Sequence, residues 1–447
     1  MSFPTYPAYK DSGVEWLGAV PKDWEPIPFK YVAEFINGMA FKPEQWSESG
    51  IPIIRIENLN NGESFNYFEG PVEGRYHVKT GDLLFGWSGN RGTSFGPFLW
   101  HGIGLHYLNQ HIFRMSDLRC DKKWLYWTLK AVTKTIEDQA HGIIGMVHVT
   151  KGKLGGIKIP LLSPPEQFQI ARFLDHETAR IDDLIEEQQR LIELLKEKRQ
   201  AVISHAVTKG LDPAVPMKDS GLEWLGEVPE HWESLTLGRV ASSVKTGGTP
   251  SDDLPSADII DGVEWYTPGD FTGDLLLDSS EKRVSAGAVR SGNAKVFPSG
   301  SVLIVSIGAT LGKVGHIRRP ASANQQINAV VPGPRVDGYF LAYSLSVKVN
   351  AMRFLSNAST IGIMNQEKTK EIWLSLPPLQ EQKLITEFLD KQTSVIDTLI
   401  QEAAGGVALL QERRSALISA AVTGKIDVRG WQPPASAQAP ELAKEAV

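Results

Sequence analysis

Two stretches of this 447-residue chain copy one another, and each is too long for the interior of an ordinary compact domain. The first runs from Pro165 to Lys209 and holds apolar residues at Ile170, Leu174, Ile181, Leu184, Leu191, Leu195 and Val202. Steps of three and four residues are the rhythm of a helix that packs lengthwise against another helix. About 40 residues at ~1.5 Å rise give a rod of roughly 60 Å. Such a rod needs a partner over its seam, and the chain supplies one at 381–427. Shifted by 215, Phe173-Leu174-Asp175 falls on Phe388-Leu389-Asp390, Ile181-Asp182 on Ile396-Asp397, and Ala206-Val207-Thr208 on Ala421-Val422-Thr423. A long-period repeat decides architecture before any local feature does. The spacing predicts an antiparallel helix pair packed through Ile170, Leu174, Ile181, Leu184, Leu191 and Leu195 on one rod, and Leu389, Ile396, Leu399, Leu410 and Leu417 on the other.

The repeat extends beyond the rods. Residues 10–24, KDSGVEWLGAVPKDW, match 218–232, KDSGLEWLGEVPEHW, at eleven of fifteen positions. Gly, Pro and Trp at fixed places predict an ordered loop pinned by Trp16 and Trp24, and by Trp224 and Trp232 in the second copy. Between this segment and each rod lies a different texture. Short β-type runs bounded by turn residues read as strands: 51–59, 81–87 and 108–115 in the first half, 262–271, 300–308 and 324–332 in the second. Helical runs follow near Lys122–Asp138 and Gly338–Phe354. Each half is an α+β globule leading into a long helix. Asn109-Gln110 matches Asn324-Gln325 at the rods' own shift, while most other globule side chains diverge. A duplicated scaffold with divergent inserts suggests two similar binders reading different things. Prolines at 160, 164, 165, 377 and 378 punctuate the junctions, since proline suits a helix's first turn and disfavours helix before it. Gly405-Gly406 should weaken the second rod by about 1 kcal/mol per glycine, a flexible or bent point. The Pro/Ala-rich segment after that rod reads as a disordered tail.

One cysteine, Cys120, excludes a disulfide framework and a zinc ribbon and fits a reducing cytoplasm. No stretch has the length and apolarity of a membrane span. The net charge of −6 argues against nonspecific polyanion binding. The average conceals a contrast: residues 282–353 hold ten Lys or Arg against the one acid Asp337, and 101–160 hold nine against four with five histidines. Local basic patches on a mildly acidic chain suit selective contact with a phosphate backbone.

Signals for chemistry are weak throughout. Gly308-Ala-Thr-Leu-Gly312-Lys313 has three residues between its glycines where a phosphate loop has four, and Val314 stands where the Mg²⁺-binding hydroxyl belongs. Ser163-Pro164-Pro165-Glu166 lacks the aromatic that an amino-methyltransferase stacks on a flipped base, and reads as a helix-start cap. His101, His106, His111, His141 and His148 show no metal-ligand spacing, so no metal site is expected. Polar loop residues remain. In the first globule they are Asn58, Asn60, Asn61, Trp87, Ser88, Asn90, Arg91, Asn109, Gln110, His111 and His148. In the second they are Thr249, Thr267, Ser306, Thr310, Lys313, Asn324, Gln325, Gln326 and Asn365. Asn and Gln can bind adenine bidentately in the major groove, and Arg or Lys can bind guanine.

With these residues in view the chain resembles the specificity subunit of Type I restriction–modification systems over nearly its whole length. The resemblance rests on KDSG-x-EWLG-x-VP-x-x-W, on IPLLSPPEQ and LPPLQEQ before the rods, on the repeated FLD…ID…AVT, and on GTPS at 248–251, VSIGATLGKVG at 305–315 and Asn324-Gln325-Gln326. It implies an α+β fold of two target-recognition domains joined by two long antiparallel helices in an internal two-fold pseudo-repeat. The expected bounds are 1–160 and 211–378 for the domains, 161–210 and 379–428 for the helices, and 429–447 for the tail. It implies a non-catalytic subunit that binds a bipartite, asymmetric site on double-stranded DNA. Two methyltransferase subunits would dock on the helices, and two restriction subunits can join them. S-adenosylmethionine, ATP and Mg²⁺ would sit in those partners and none in this chain; a cytoplasmic setting without a membrane follows. A coiled-coil scaffold whose globules bind proteins is the competing reading, and a nucleotide hydrolase using Lys313 a third.

Overall fold

The computed structural model describes residues 3–60, 62–139, 146–222, 225–251, 253–356 and 362–434. The chain divides into two compact units, one built from 1–188 with 405–447, the other from 189–404. Each unit therefore takes half of each rod. The sequence bounds follow where helices begin and end; the units follow what those helices pack against.

The first unit opens with a hairpin, Tyr9–Asp11 against Ala19–Pro21. One four-stranded antiparallel sheet runs in the order 96–99, 83–86, 112–116, 34–37, and a second in the order 66–68, 51–54, 106–108, 77–78, with its central pair parallel. The second unit repeats the hairpin and both sheet orders. Its hairpin is Met217–Asp219 with Glu227–Pro229. Its sheets run 241–246, 327–332, 302–305, 314–317, extended by 276–277, and 282–285, 262–266, 321–323, 296–297, again with a parallel central pair. The expected strands are shorter than the apolar runs: 51–59 is strand only to Ile54 and then a 3-10 turn, and 108–115 is broken by a turn at 109–111.

The rods are helices Pro164–Lys209 and Leu379–Val422. They run antiparallel. In the first unit Arg414 donates Nε and Nη2 to Asp182 at 2.8 and 3.1 Å, while the earlier Gln169 reaches the later carbonyls of Val428 and Trp431. In the second, Arg199 makes the same pair with Asp397 at 2.8 and 3.2 Å, and Ile203 shares a core with Ile385 and Leu389. Arg199 and Arg414 are themselves 215 residues apart, so the two ion pairs are one interaction made twice.

The repeated residues now have causes. Leu174 and Leu389 are fully buried, and the neighbouring aspartates receive the globule's helix: Asp175 from Trp127 Nε1 at 2.8 Å, Asp390 from the Tyr343 hydroxyl at 2.8 Å. Buried Gln167 accepts the N–H of Asp121 at 2.7 Å, and buried Gln382 that of Asp337 at 2.8 Å. Both aspartates then take up the first free N–H groups of the following helices, so one glutamine ties rod start to helix start. Trp24 and Trp232, buried in the cores, donate to Glu166 and Glu381 at 3.4 and 3.1 Å. Each also lies against the glycine that follows the other rod, where a Cβ on Gly424 or Gly210 would come within 3.0 or 3.3 Å of the indole. Both glycines have positive φ, the usual helix stop. Glu166 is further held by Ser163 Oγ, which donates to its carboxylate at 2.9 Å across the rod's first turn. Trp16 donates to the Lys158 carbonyl at 3.0 Å; Trp224 lies outside the described residues.

Several expectations need correction. The seam of the first rod passes through Leu174, Thr178, Ile181, Ile185, Gln188, Ile192, Leu195 and Arg199, all buried or half-buried in alternating steps of four and three. Leu184 and Leu191 lie off it, 39 % and 43 % exposed. On the second rod Ile400 takes the place expected of Leu399, which is 43 % exposed. The error has a physical source: Thr178, Gln188 and Arg199 are polar seam residues. Thr178 satisfies its hydroxyl on the Leu174 carbonyl at 2.6 Å, and a reading confined to apolar residues passes over such positions. The second rod passes Gly405-Gly406 without interruption. The tail is ordered at its start. Trp431 packs edge-on against Phe173 at 5.3 Å, and Arg429 pairs with Asp427 at 2.6 Å; residues 435–447 lie outside the described set.

Candidate nucleic-acid interface

Both units bring four segments together at one end of their sheets, and corresponding backbone hydrogen bonds lace them. In the first unit Met39 N–H donates to the Leu108 carbonyl at 2.9 Å, Trp87 N–H to His111 at 3.2 Å, and Val149 N–H to Trp87 at 2.9 Å. In the second, Gly248 donates to Ala323 at 2.8 Å, Ser306 to Gln326 at 2.8 Å, and Met364 to Ser306 at 2.9 Å. Acceptor and donor correspond at the 215 shift in 108/323, 111/326 and 149/364. The approach is close enough to require glycine. A Cβ on Gly38 would overlap the Asn109 carbonyl, and one on Gly247 the Asn324 carbonyl. Neither glycine was singled out from the sequence; their matching places in the two copies were the available signal.

On this shared cradle the side chains differ. In the first unit Trp87 is the hub: its ring meets His148 at 4.9 Å, His111 at 5.2 Å and Phe113 at 5.8 Å, and its Nε1 donates to the Gln110 carbonyl at 2.9 Å. Ser88, buried, pairs in register with exposed His148. Gln110 is exposed, with Nε2 3.3 Å from His111 Nε2, and the buried His111 Nδ1 has no partner. A cleft of about 400 Å³ opens beside this group, lined by Arg55, Asn60, Asn90, Thr93, Asn109 and His111 among others. Arg91 is exposed in the adjoining turn. Asn58 serves another purpose. It is buried, accepts the Arg55 N–H at 2.9 Å and donates to the carbonyls of Gly62 and Ser64, so its amide holds the loop's shape. Asn61 and His141 lie outside the described residues. His106 is buried under Trp100, where desolvation lowers its pKa and keeps it neutral.

In the second unit Thr249 and Gln325 are exposed at the rim, with the hydroxyl donating to Oε1 at 2.8 Å. Gln326 is half-buried beside them. Asn324 and Ser306 are buried and occupied within the loops: Asn324 Oδ1 accepts the Gln326 N–H at 3.0 Å, and Ser306 Oγ donates to the Gln326 carbonyl at 2.9 Å. Asn365 caps the short helix 366–370 through the Lys368 N–H, and Thr267 caps the turn 268–270 with Asp270. Thr310 lies in the turn 308–313, where no helix follows Gly312 and Lys313 Nζ donates to the Phe271 carbonyl at 2.7 Å. That geometry removes the phosphate-loop reading of this segment.

The basic window 282–353 is also less open than its composition indicates. Arg283 sits on Glu264 at 2.8 Å, Arg318 on Asp278 at 2.9 Å, and Arg335 on Glu233. All three carboxylates come from outside the window, which is why counting within it overstated the patch. Burial alone would raise the pKa of Glu264, but hydrogen bonds from Ser280 and Arg283 outweigh it and lower the value, so the pair is charged at neutral pH. Lys295 reaches the Thr246 carbonyl at 3.0 Å under the cradle, whereas Lys282, Arg290, Arg319 and Arg353 are exposed.

Groups suited to chemistry are not gathered here. Among the described residues no cluster of three or more His, Cys, Asp or Glu is placed to hold a metal ion. Burial, aided by Asp121, pushes the Cys120 thiol up to about 12, which leaves it protonated. A larger cavity in the second unit, about 880 Å³, is lined by none of the cradle residues; burial brings its Lys348 down to about 8.

Comparison with known proteins decides what the duplicated cradle belongs to. The Type I restriction modification DNA specificity domain matches residues 21–194 and again 229–403, one block per repeat and most of the chain. The chain is a member of that family. The EcoBI specificity subunit of Escherichia coli is 23 % identical over 438 residues, covering 94 % of this chain and 90 % of its own. A putative type I restriction enzyme specificity subunit, MjaX, of Methanocaldococcus jannaschii is 25 % identical over 433 residues, 92 % of this chain and 96 % of its own. A chain from a structural study of type I R-M complex assembly and conformational transition matches the fold with a TM-score of 0.69 at 17 % identity, covering 90 % of this chain and 98 % of that one. The HsdS subunit of Thermoanaerobacter tengcongensis matches with a TM-score of 0.50. Two specificity domains, each an α+β unit, and a pair of long antiparallel helices are thus the family's layout as well as this chain's. Its place in a restriction system is recognition of DNA sequence, not the chemistry performed on it. Among the described residues no helix is long and apolar enough to cross a membrane.

Proposed function

We propose that the two cradles read the two halves of a bipartite, asymmetric site on double-stranded DNA, and that this chain directs adenine methyltransferase subunits, and restriction subunits where present, to that site. The observation that carries the reading is the pair of matching backbone frameworks bearing different polar side chains. Matching frameworks present loop tips in corresponding places. Different tips around the shared glutamine, Trp87, His111 and His148 against Thr249 and Gln326, favour different bases. Positioning on the duplex would fall to the exposed cations, because phosphate contacts place a reader and base-edge contacts give it sequence.

Half-sites one helical turn apart are separated by ~34–36 Å, a distance that rods of 46 and 44 residues can bridge at ~1.5 Å per residue. The rods would then set the unspecified spacer and offer their exposed flanks to two methyltransferase subunits. S-adenosylmethionine, ATP and Mg²⁺ belong in this reading to those partners, and the setting is the cytoplasm.

Selection from randomised duplexes by the chain co-purified with its methyltransferase tests the proposal. A motif of two short blocks separated by a fixed gap, with affinity falling steeply as salt rises, is the expected outcome. Enrichment of a single uninterrupted block, or binding indifferent to salt, would overturn it in favour of a protein-binding scaffold.

A further inference from the structure

Gln110 and Gln325 occupy the same place in the two cradles. They are 215 residues apart, each follows the asparagine whose carbonyl covers the cradle glycine, and both are exposed. Most exposed glutamines sample many rotamers, but each of these is held at one end of its amide. Thr249 Oγ1 donates to Gln325 Oε1 at 2.8 Å. The backbone that carries that threonine is held just before it: Gly248 N–H donates to the Ala323 carbonyl at 2.8 Å, and the Gly248 carbonyl accepts Trp265 Nε1 at 3.1 Å. Gln110 Nε2 lies 3.3 Å from His111 Nε2, in a ring packed on Trp87 at 5.2 Å.

One held end leaves a defined remainder. Gln325 keeps both N–H groups and one lone pair on Oε1; Gln110 keeps one N–H and both lone pairs. Each can present a donor and an acceptor side by side. Among major-groove edges adenine offers the complement, an N7 acceptor beside an N6 donor. Guanine offers two acceptors, cytosine a donor, and thymine an acceptor with a methyl group. Holding the amide in advance removes part of the side-chain entropy that binding would otherwise cost.

Resting on the DNA-reading function above, we propose that Gln325 and Gln110 are the equivalent specificity-determining residues of the two units, each reading one adenine in the major groove, with Thr249 and His111 as their positioning residues. A good bidentate contact discriminates by about 1–3 kcal/mol, or roughly 5- to 150-fold between bases.

The test is selection from randomised duplexes by the full chain with its methyltransferase, comparing wild type with Q325E, Q110E, T249V and T249S. Glutamate keeps the shape of glutamine but only accepts, which suits the cytosine amino group. Q325E should lose adenine at one position of one half-site, by about 5- to 150-fold, with cytosine favoured there. Q110E should do the same in the other half and spare the first. T249V should blunt the preference at the Gln325 position alone, and T249S should restore it, a readout that a merely structural threonine would not move. An unchanged preference with either glutamate, or uniform weakening at every position, overturns the proposal while leaving DNA reading intact. If the wild-type complex enriches no sequence, both fail. Because both glutamines are exposed, an unchanged melting temperature separates these outcomes from misfolding.

Discussion

The two units share a skeleton and differ at its rim, and the division is sharp. Residues that join globule to rods recur with the same partners. Trp24 and Trp232 bridge one rod's start to the other's end; Gln167 and Gln382 hold a helix start; Asp182 and Asp397 pair with Arg414 and Arg199. Rim residues recur in Gly38 and Gly247, where the cradle demands glycine, and in the Asn-Gln dipeptide, whose asparagine carbonyl covers that glycine and whose glutamine is exposed. Beyond these the first rim is built around an indole and two imidazoles, the second around a hydroxyl and amides. A duplicated reader keeps what sets its geometry and varies most of what surrounds the shared glutamine.

If joining residues are equivalent, matched substitutions should cost alike in the two units. The largest effect is expected from Trp24→Ala and Trp232→Ala, each destabilising its unit by about 3–5 kcal/mol in denaturant unfolding through loss of a buried indole. A large loss in one unit alone would break the equivalence. Next, Leu389→Ala should cost about 2–5 kcal/mol because its side chain is fully buried. The off-seam Leu184→Ala should stay within about 0.5 kcal/mol, and equal costs would mean the seam is misplaced. Gln167→Ala and Gln382→Ala leave the N–H of Asp121 or Asp337 without its acceptor, for about 1–3 kcal/mol each. The smallest effect belongs to Asp182→Asn and Asp397→Asn. These pairs are partly exposed, so about 0.2–1 kcal/mol is expected, shrinking as salt rises.

Much of this skeleton is legible in the sequence because repetition marks it. The 215 shift locates both rods, and the 208 shift locates both hairpins, from residue identities alone. Burial patterns were harder to read. Thr178 and Gln188 sit in the seam although both are polar, Thr178 with its hydroxyl satisfied on the Leu174 carbonyl, so Leu184 and Leu191 looked like better seam residues than they are. Trp431 belongs to the core over Phe173, although a composition average places it with the Pro/Ala tail. At the rim, residue type pointed to Asn58, Asn324 and Lys313 as readily as to Gln325. Only the fold shows that Asn58 and Asn324 are used up inside their loops and that Lys313 reaches across to the Phe271 carbonyl, while Gln325 is exposed at the rim. The ion pairs of Arg283, Arg318 and Arg335 likewise needed carboxylates from distant segments.

The central claim is that each unit reads its own half of one DNA site. Replacing residues 30–158 with the equivalent segment of another family member, then mapping methylated positions across the host genome by methylation-sensitive sequencing, tests it most directly. The account predicts that one half of the recognised sequence changes while the other half and the spacer length stay as they were. A change in both halves, or in neither, would contradict it.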